Sequence, residues 1–293
     1  MGYLIAVSLI WAFSFGLIKG NLTGLDSNVV SFARMLISLI VFLPFLRLRN
    51  FPVKLAPKFL LVGALQYGMM YLAYIYSFQH LKAYEVALFT IFTPIYVTLL
   101  NDAFRQKFNG FHLLMAALAV FGTGVIVFHE FARGGFWLGF WVVQLSNICF
   151  AFGQIYYREL MQRHRNLKDR EIFGLLYLGA VLLTGFSSVV SADLAAISLN
   201  VTQIWTLLYL GILASGVCFF LWNYGARRVN AGSLAVANNL KVPLAVAASL
   251  LFFGENADVP RLLIGGGIIL GALLANEKRQ SIRKISKRTA VPD

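Results

Sequence analysis

Residues 235–246 read AVANNLKVPLAV, and residues 86–97, 149 positions earlier, read VALFTIFTPIYV. Both stretches are largely apolar, and both carry a proline at the same place, Pro243 and Pro94. A proline inside a helix lacks the N–H that the preceding turn's carbonyl would accept from, so its recurrence at one spacing marks a shared framework. The same shift brings Phe104 onto Phe253, Leu113 and Leu114 onto Leu262 and Leu263, and Gly122 onto Gly271. A shift of 137 brings FSFG at 13–16 onto FAFG at 150–153. Matches that keep their order over several segments predict a duplicated unit.

The surroundings of the two stretches predict where that unit resides. Only 13% of the 293 residues are charged, against about 25% in soluble domains, which leaves too little polar surface for a water-soluble fold. A helix that crosses a bilayer needs about 20 apolar residues. Ten segments meet that requirement, near 2–19, 28–46, 57–78, 83–103, 111–128, 135–157, 171–191, 203–226, 231–253 and 260–276. The longest polar connection runs from Arg158 to Glu171 and leaves no room for a soluble domain. The N-terminal MGYLIAVSLIWAFSFG has no basic residue before its apolar run and no small-x-small cleavage site, so it reads as a retained helix. Cys149 and Cys218 lie inside apolar segments and read as packing residues.

Lysine and arginine in short loops orient such a chain. One side collects nineteen of them: four between Arg47 and Lys58, Arg105 with Lys107, five between Arg158 and Arg170, Arg227 with Arg228, and six from Lys278 to Arg288. The other side holds Lys19, Lys82, Arg133 and Arg261. The asymmetry predicts both termini in the cytoplasm, and it explains the net charge of +13 without nucleic acid as a partner. The basic tail at 278–293 reads as a topology anchor, with contact to anionic lipid as the other reading.

The ten segments divide into a first five-helix repeat at 1–129 and a second at 134–277. Five is odd, so the second unit enters the membrane inverted. Inverted repeats are a design of secondary transporters, with the substrate site near the bilayer midplane between the halves. The opening LIWAFSFGLIK, the pattern AYEVALFTIFTPIYVTLL and the closing FFGENADVPRLLIGGGIILGALLAN resemble the EamA-type drug/metabolite transporters. That resemblance covers nearly the whole chain. It implies an all-α, multi-pass carrier for small metabolites in a bacterial inner membrane, often an exporter. It also implies a cavity lined by the first, third, fourth, sixth, eighth and ninth segments, with the fifth and tenth packed away from it. The family's acidic residue after the ninth segment is present as Glu255, whereas the matching place in the first half reads Arg105-Gln106.

A lysine at the centre of a membrane helix costs about 2.5–3.5 kcal/mol on insertion scales, so Lys241 needs an offsetting role. Asn238 is three residues away on the same face, and Pro243 deprives the carbonyl of Asn239 of its donor. Together they propose a substrate or coupling-ion site, against the alternative of a lysine that snorkels or locks helices together. Pro94 repeats the device and frees the carbonyl of Thr90. Glu85 is the candidate for proton coupling, because acids are rare within spans. Arg34, six or seven residues from the outer loop, reads as an architectural ion pair or a snorkelling side chain. In LQYGMMYLAYIYSF, Tyr67, Tyr71, Tyr74 and Phe78 fall on one face, and Gln66 sits beside them. Trp11 and Phe15, Gln154 with Tyr157, and Trp222 are weaker members of the same proposed lining.

Gly267 and Gly271 form a GxxxG that favours close packing of the last segment on the fifth or, alternatively, a homodimer in place of a monomer. The four histidines are dispersed without metal-ligand spacing, and no phosphate-cradling loop is present, so neither cofactor nor ATP hydrolysis is expected. The leading reading is therefore a secondary transporter of an amino-acid-like, amine, carboxylate or amphiphilic metabolite, exporting by alternating access. The alternatives are a flippase for a lipid or lipid-linked metabolite and a membrane enzyme acting on a lipid head group. The enzyme would need acids or histidines clustered at one interface.

Overall fold

The computed structural model describes residues 2–49, 51–106, 134–191, 198–229 and 231–254, with scattered positions at 107–133 and 255–275 and backbone only at 105, 231–233, 235–236 and 239–240. Among the described residues there is no strand. Seven helices are long and apolar enough to cross a membrane: α1 (Gly2–Leu22), α2 (Ser27–Phe45), α3 (Val53–Ser77), α4 (Ala83–Phe104), α5 (Phe136–Arg163), α6 (Asp169–Ser191) and α7 (Val201–Ala226). An eighth, α8 (Ala231–Phe252), continues through Pro243. The predicted segments near 111–128 and 260–276 lie largely outside the described residues, as do Glu255 and the basic tail.

Helix starts follow local chemistry. Asp26 caps α2, its Oδ1 accepting from the N–H groups of Asn28 at 2.8 Å and Val29 at 3.2 Å. Asn200 and Gln203 form a reciprocal capping box at the start of α7. One boundary differs from expectation: α5 runs on to Arg163, six residues beyond 157. Its last turns bury Leu160 and Met161 and carry an Arg163–Glu159 pair one turn apart at 2.9 Å, which shortens the predicted polar connection.

The surface is apolar and the interior carries the polar groups. Phe186, Val189 and Val190 on α6 are about 70% exposed, at 70%, 71% and 67%, while Arg34, Gln66, Gln154 and Asn223 are buried. That distribution suits lipid outside and a hydrogen-bonded interior. Buried hydroxyls such as those of Ser31, Thr184 and Ser188 donate to carbonyls one turn back, which satisfies them without a neighbour.

Helix pairing obeys an exchange of halves. α1 packs on α8 as α5 packs on α4, α2 on α7 as α6 on α3, and α3 on α5 as α7 on α1, while α2 meets α6 and α4 meets α8. The glycines that allow the closest approaches follow the same rule. A Cβ on Gly63 would lie 1.7 Å from the carbonyl oxygen of Leu176, and one on Gly179 would lie 2.1 Å from that of Leu60, so α3 and α6 cross backbone to backbone. In the other half Gly211 faces Ile37 of α2, with 2.7 Å from a Cβ to the isoleucine's own. Each of these helices then takes a π-helical stretch, Ala64–Met69 in α3 and Leu210–Val217 in α7. Among the described residues, which leave out most of the fifth segment, a Cβ on Gly267 or Gly271 would meet nothing within 4 Å.

Candidate functional site

Seven helices converge on one cavity of about 60 Å³, lined by Trp11, Ser14 and Phe15 from α1, Arg34 from α2, Met70, Tyr71 and Tyr74 from α3, Thr90 from α4, Ser146, Asn147 and Phe150 from α5, Phe219 from α7 and Lys241 from α8. α6 stays behind this ring. The expected lining segments are all represented, and α2 joins them through Arg34.

Lys241 is 6% exposed. Its Nζ lies 5.3 Å from the ring centroids of both Trp11 and Phe150. A desolvated cation–π contact is worth about 2 kcal/mol, so two of them offset most of the roughly 2.5–3.5 kcal/mol that a mid-membrane lysine costs. No carboxylate pairs with it among the described residues, and its amine is left facing the cavity. Trp11 is fixed in turn by an Nε1–H donated to the Ala214 carbonyl at 2.8 Å and by packing on Phe219 and Trp222.

Arg34 is the second buried base of the cavity, 1% exposed. The structure corrects its expected role: it neither snorkels nor forms an ion pair among the described residues. Its Nε donates to Ser215 Oγ at 3.2 Å and its Nη2 to the Tyr71 hydroxyl at 2.6 Å. The π-helical stretch of α7 makes this contact available. Tyr177 donates its hydroxyl to the carbonyls of Ser215 and Gly216, both at 2.8 Å, and Ser38 donates to that of Gly211 at 2.8 Å, so side chains of α6 and α2 serve the irregular backbone.

The proline of α4 acts differently from expectation. Thr90–Phe92 is a 3₁₀ turn ahead of Pro94, and Thr93 N–H donates to the Thr90 carbonyl, which is therefore not freed. In a continuous α-helix that N–H would serve Phe89. Asn147 Nδ2 instead donates to the Phe89 carbonyl at 2.8 Å, and its Oδ1 accepts from Thr93 Oγ1 at 3.1 Å. This cavity residue was missed because Gln144, Ser146 and Asn147, though close together in the sequence, carry no signal of a partner on α4.

The predicted site residues divide between two neighbourhoods. Trp11, Phe15, Tyr71, Tyr74 and Lys241 line the cavity. Gln66 and Tyr67 do not: Asn223 Nδ2 donates to Tyr67 OH at 2.7 Å and exchanges hydrogen bonds with the Gln66 amide at 3.0 and 3.2 Å. Tyr67 and Tyr71 both pack on Phe219, but Tyr67 bonds Asn223 and stacks on Tyr177 while Tyr71 bonds Arg34 and Ser215, which divides the aromatic stripe. Gln154 and Trp222 also sit behind the cavity wall, with Trp222 Nε1 donating to Gln154 Oε1 at 3.0 Å. Asn238 Nδ2 donates to the same Gln154 oxygen at 3.3 Å and to the Leu234 carbonyl at 3.0 Å. The side chain of Asn239 lies outside the described residues. Glu85 is off the cavity, in the first turn of α4, where its Oε2 accepts from the Lys82 N–H at 2.8 Å. Tyr157 donates to Asp169 at 2.7 Å beside the Arg227–Asp169 pair, far along α5 from the cavity residues. No group of metal-binding side chains occurs among the described residues.

An apolar exterior, polar groups turned inward and a cavity where the helices meet define a multi-pass membrane carrier. The chain belongs to the EamA-like transporter family, whose model matches residues 1–128 and 137–276. It is 38% identical over 278 residues to a probable biotin transporter of Pseudomonas aeruginosa, spanning 94% of this chain and 97% of that one. With a biotin transporter of Salmonella typhimurium it shares 36% over 280 residues, 95% and 93% of the two chains. A probable terminal-alkyne amino-acid exporter of Streptantibioticus cattleyicolor is 24% identical over 96% of this chain and 94% of its own. A crystal structure 16% identical in sequence matches with a TM-score of 0.67 over 92% of this chain and 94% of that one, a likeness of fold alone. The protein is thus a membrane transporter of a small molecule and not an enzyme.

Proposed function

We propose that the protein carries biotin or a closely similar cyclic organic acid across the inner membrane by alternating access. The observation that carries this reading is Lys241, a buried basic residue without a carboxylate partner, facing a cavity walled by aromatic rings. The lysine offers N–H donors to an acid or carbonyl group, and the rings offer apolar faces to a bicyclic body. Glu85 lies off the cavity, and the described lining residues include no acid to hold an amine. The two relatives named as biotin transporters point to the same chemistry.

We further infer ten spans, two inverted five-helix halves and cytoplasmic termini, supported by the loop charge asymmetry and by the pairing of helices under exchange of halves. The cavity of about 60 Å³ exceeds the about 10–15 Å³ that a water needs. Alternating access would open it by moving one group of helices relative to the other. Export is the direction we infer from the family, driven by the substrate's own gradient or by protons, with Glu85 as the acid that would couple them.

The test is reconstitution into liposomes with biotin, other carboxylates, amino acids and amines, with and without an imposed pH gradient. Wild type should move biotin in preference to amines. Lys241→Met should lower the initial rate about tenfold or more, the worth of one charged hydrogen bond. A wild type that moves no carboxylate, or a folded Lys241→Met that moves biotin normally, sinks the proposal. A rate indifferent to the pH gradient removes Glu85 as proton carrier.

A further inference from the structure

Arg34 reaches the cavity from α2, on a helix that the lysine reading does not use. Two of its nitrogens are committed, Nε to Ser215 Oγ and Nη2 to Tyr71 OH, and the guanidinium carbon lies 4.2 Å from the centroid of the Tyr71 ring. The two hydroxyls that hold it are 3.1 Å apart and share a hydrogen bond, so the clamp is closed on itself. The third nitrogen, Nη1, is buried and has no hydrogen-bond partner among the described residues.

A purely architectural arginine would spend all its donors on the fold, because a buried unpaired donor costs about 1–3 kcal/mol and more for a charged group. Here the fold immobilises one side of the planar fork of a residue that lines the cavity and leaves Nη1 unspent. That is a preorganised receptor for a carboxylate, since the ordering of the side chain has already occurred before the ligand arrives. We infer that Arg34 anchors the substrate's carboxylate and sets the carrier's preference for anions. Lys241, between the rings of Trp11 and Phe150, then meets the other polar end of the ligand. The inference rests on the cavity being the transport site.

The test uses the full-length protein in detergent, with biotin and its uncharged primary amide as probes and affinity read from ligand-induced thermal stabilisation. Wild type should bind biotin about tenfold or more tighter than the amide. Arg34→Gln should weaken biotin about tenfold or more while the amide stays within about twofold, which also shows that the variant is folded. Arg34→Lys should recover part of the preference for the acid, because it restores the charge without the fork. A parallel loss of both probes assigns Arg34 to the fold alone and overturns the anchor. An undiminished preference for biotin in Arg34→Gln overturns it too, with the biotin reading intact. A wild type that binds neither probe overturns both.

Discussion

Asn147 carries more of the site than its single side chain suggests, since it bonds both sides of the α-to-3₁₀ break in α4 while forming part of the cavity wall. Asn147→Ala leaves the Phe89 carbonyl and the Thr93 hydroxyl short of a partner in a buried place. The expected cost is about 1–3 kcal/mol, read as a lower thermal midpoint in detergent, and a midpoint equal to wild type would contradict this role. Lys241 was legible in the sequence because a lone base among alanines and valines has few bland explanations. Arg34 was misread because sequence distance to a loop says how far a side chain is from the interface along the helix. It does not say that Tyr71 and Ser215 wait beside it.

Among elements, the π-helical stretches decide which faces reach the cavity. The period of 3.6 put Tyr67, Tyr71 and Tyr74 on one stripe; Tyr71 and Tyr74 line the cavity, whereas Tyr67, inside the π-helical stretch Ala64–Met69, is held by Asn223. Its counterpart in α7 brings Ser215 to Arg34. The GALQYG of 63–68 and the GILASG of 211–216 were a readable sign of both, a pair of glycines five residues apart at each irregular stretch, Gly63 just before it and Gly68, Gly211 and Gly216 within it. For Gly267 and Gly271, singled out from sequence, an added Cβ meets nothing within 4 Å among the described residues, and most of the fifth segment, their expected partner, lies outside those residues. At Gly63 the approach is real: Gly63→Ala places a methyl against the Leu176 backbone, which has no rotamer to yield. The variant should lose about 1–3 kcal/mol by overpacking, measured by thermal unfolding, and an Ala variant as stable as wild type would refute the crossing of α3 and α6 described above.

For the whole molecule, the fold was more legible than the site. Apolar segment length and the recurrence of Pro94 at Pro243 report on the bilayer and on duplication, which act on every helix at once. The cavity lining depends instead on which of several polar side chains turn inward, and Gln66, Tyr67, Gln154 and Trp222 turned toward one another or toward neighbouring helices. The two bases of the cavity come from different helices, α2 and α8. A carrier of this kind exchanges substrate across the membrane without net driving force, whereas a receptor or an enzyme does not. The direct measurement is counterflow: proteoliposomes loaded with unlabelled biotin, diluted into a trace of labelled biotin. The label should rise transiently above its equilibrium level with wild type and fail to do so with Lys241→Met; a wild type whose label never exceeds the level of protein-free liposomes would contradict transport of biotin through this cavity.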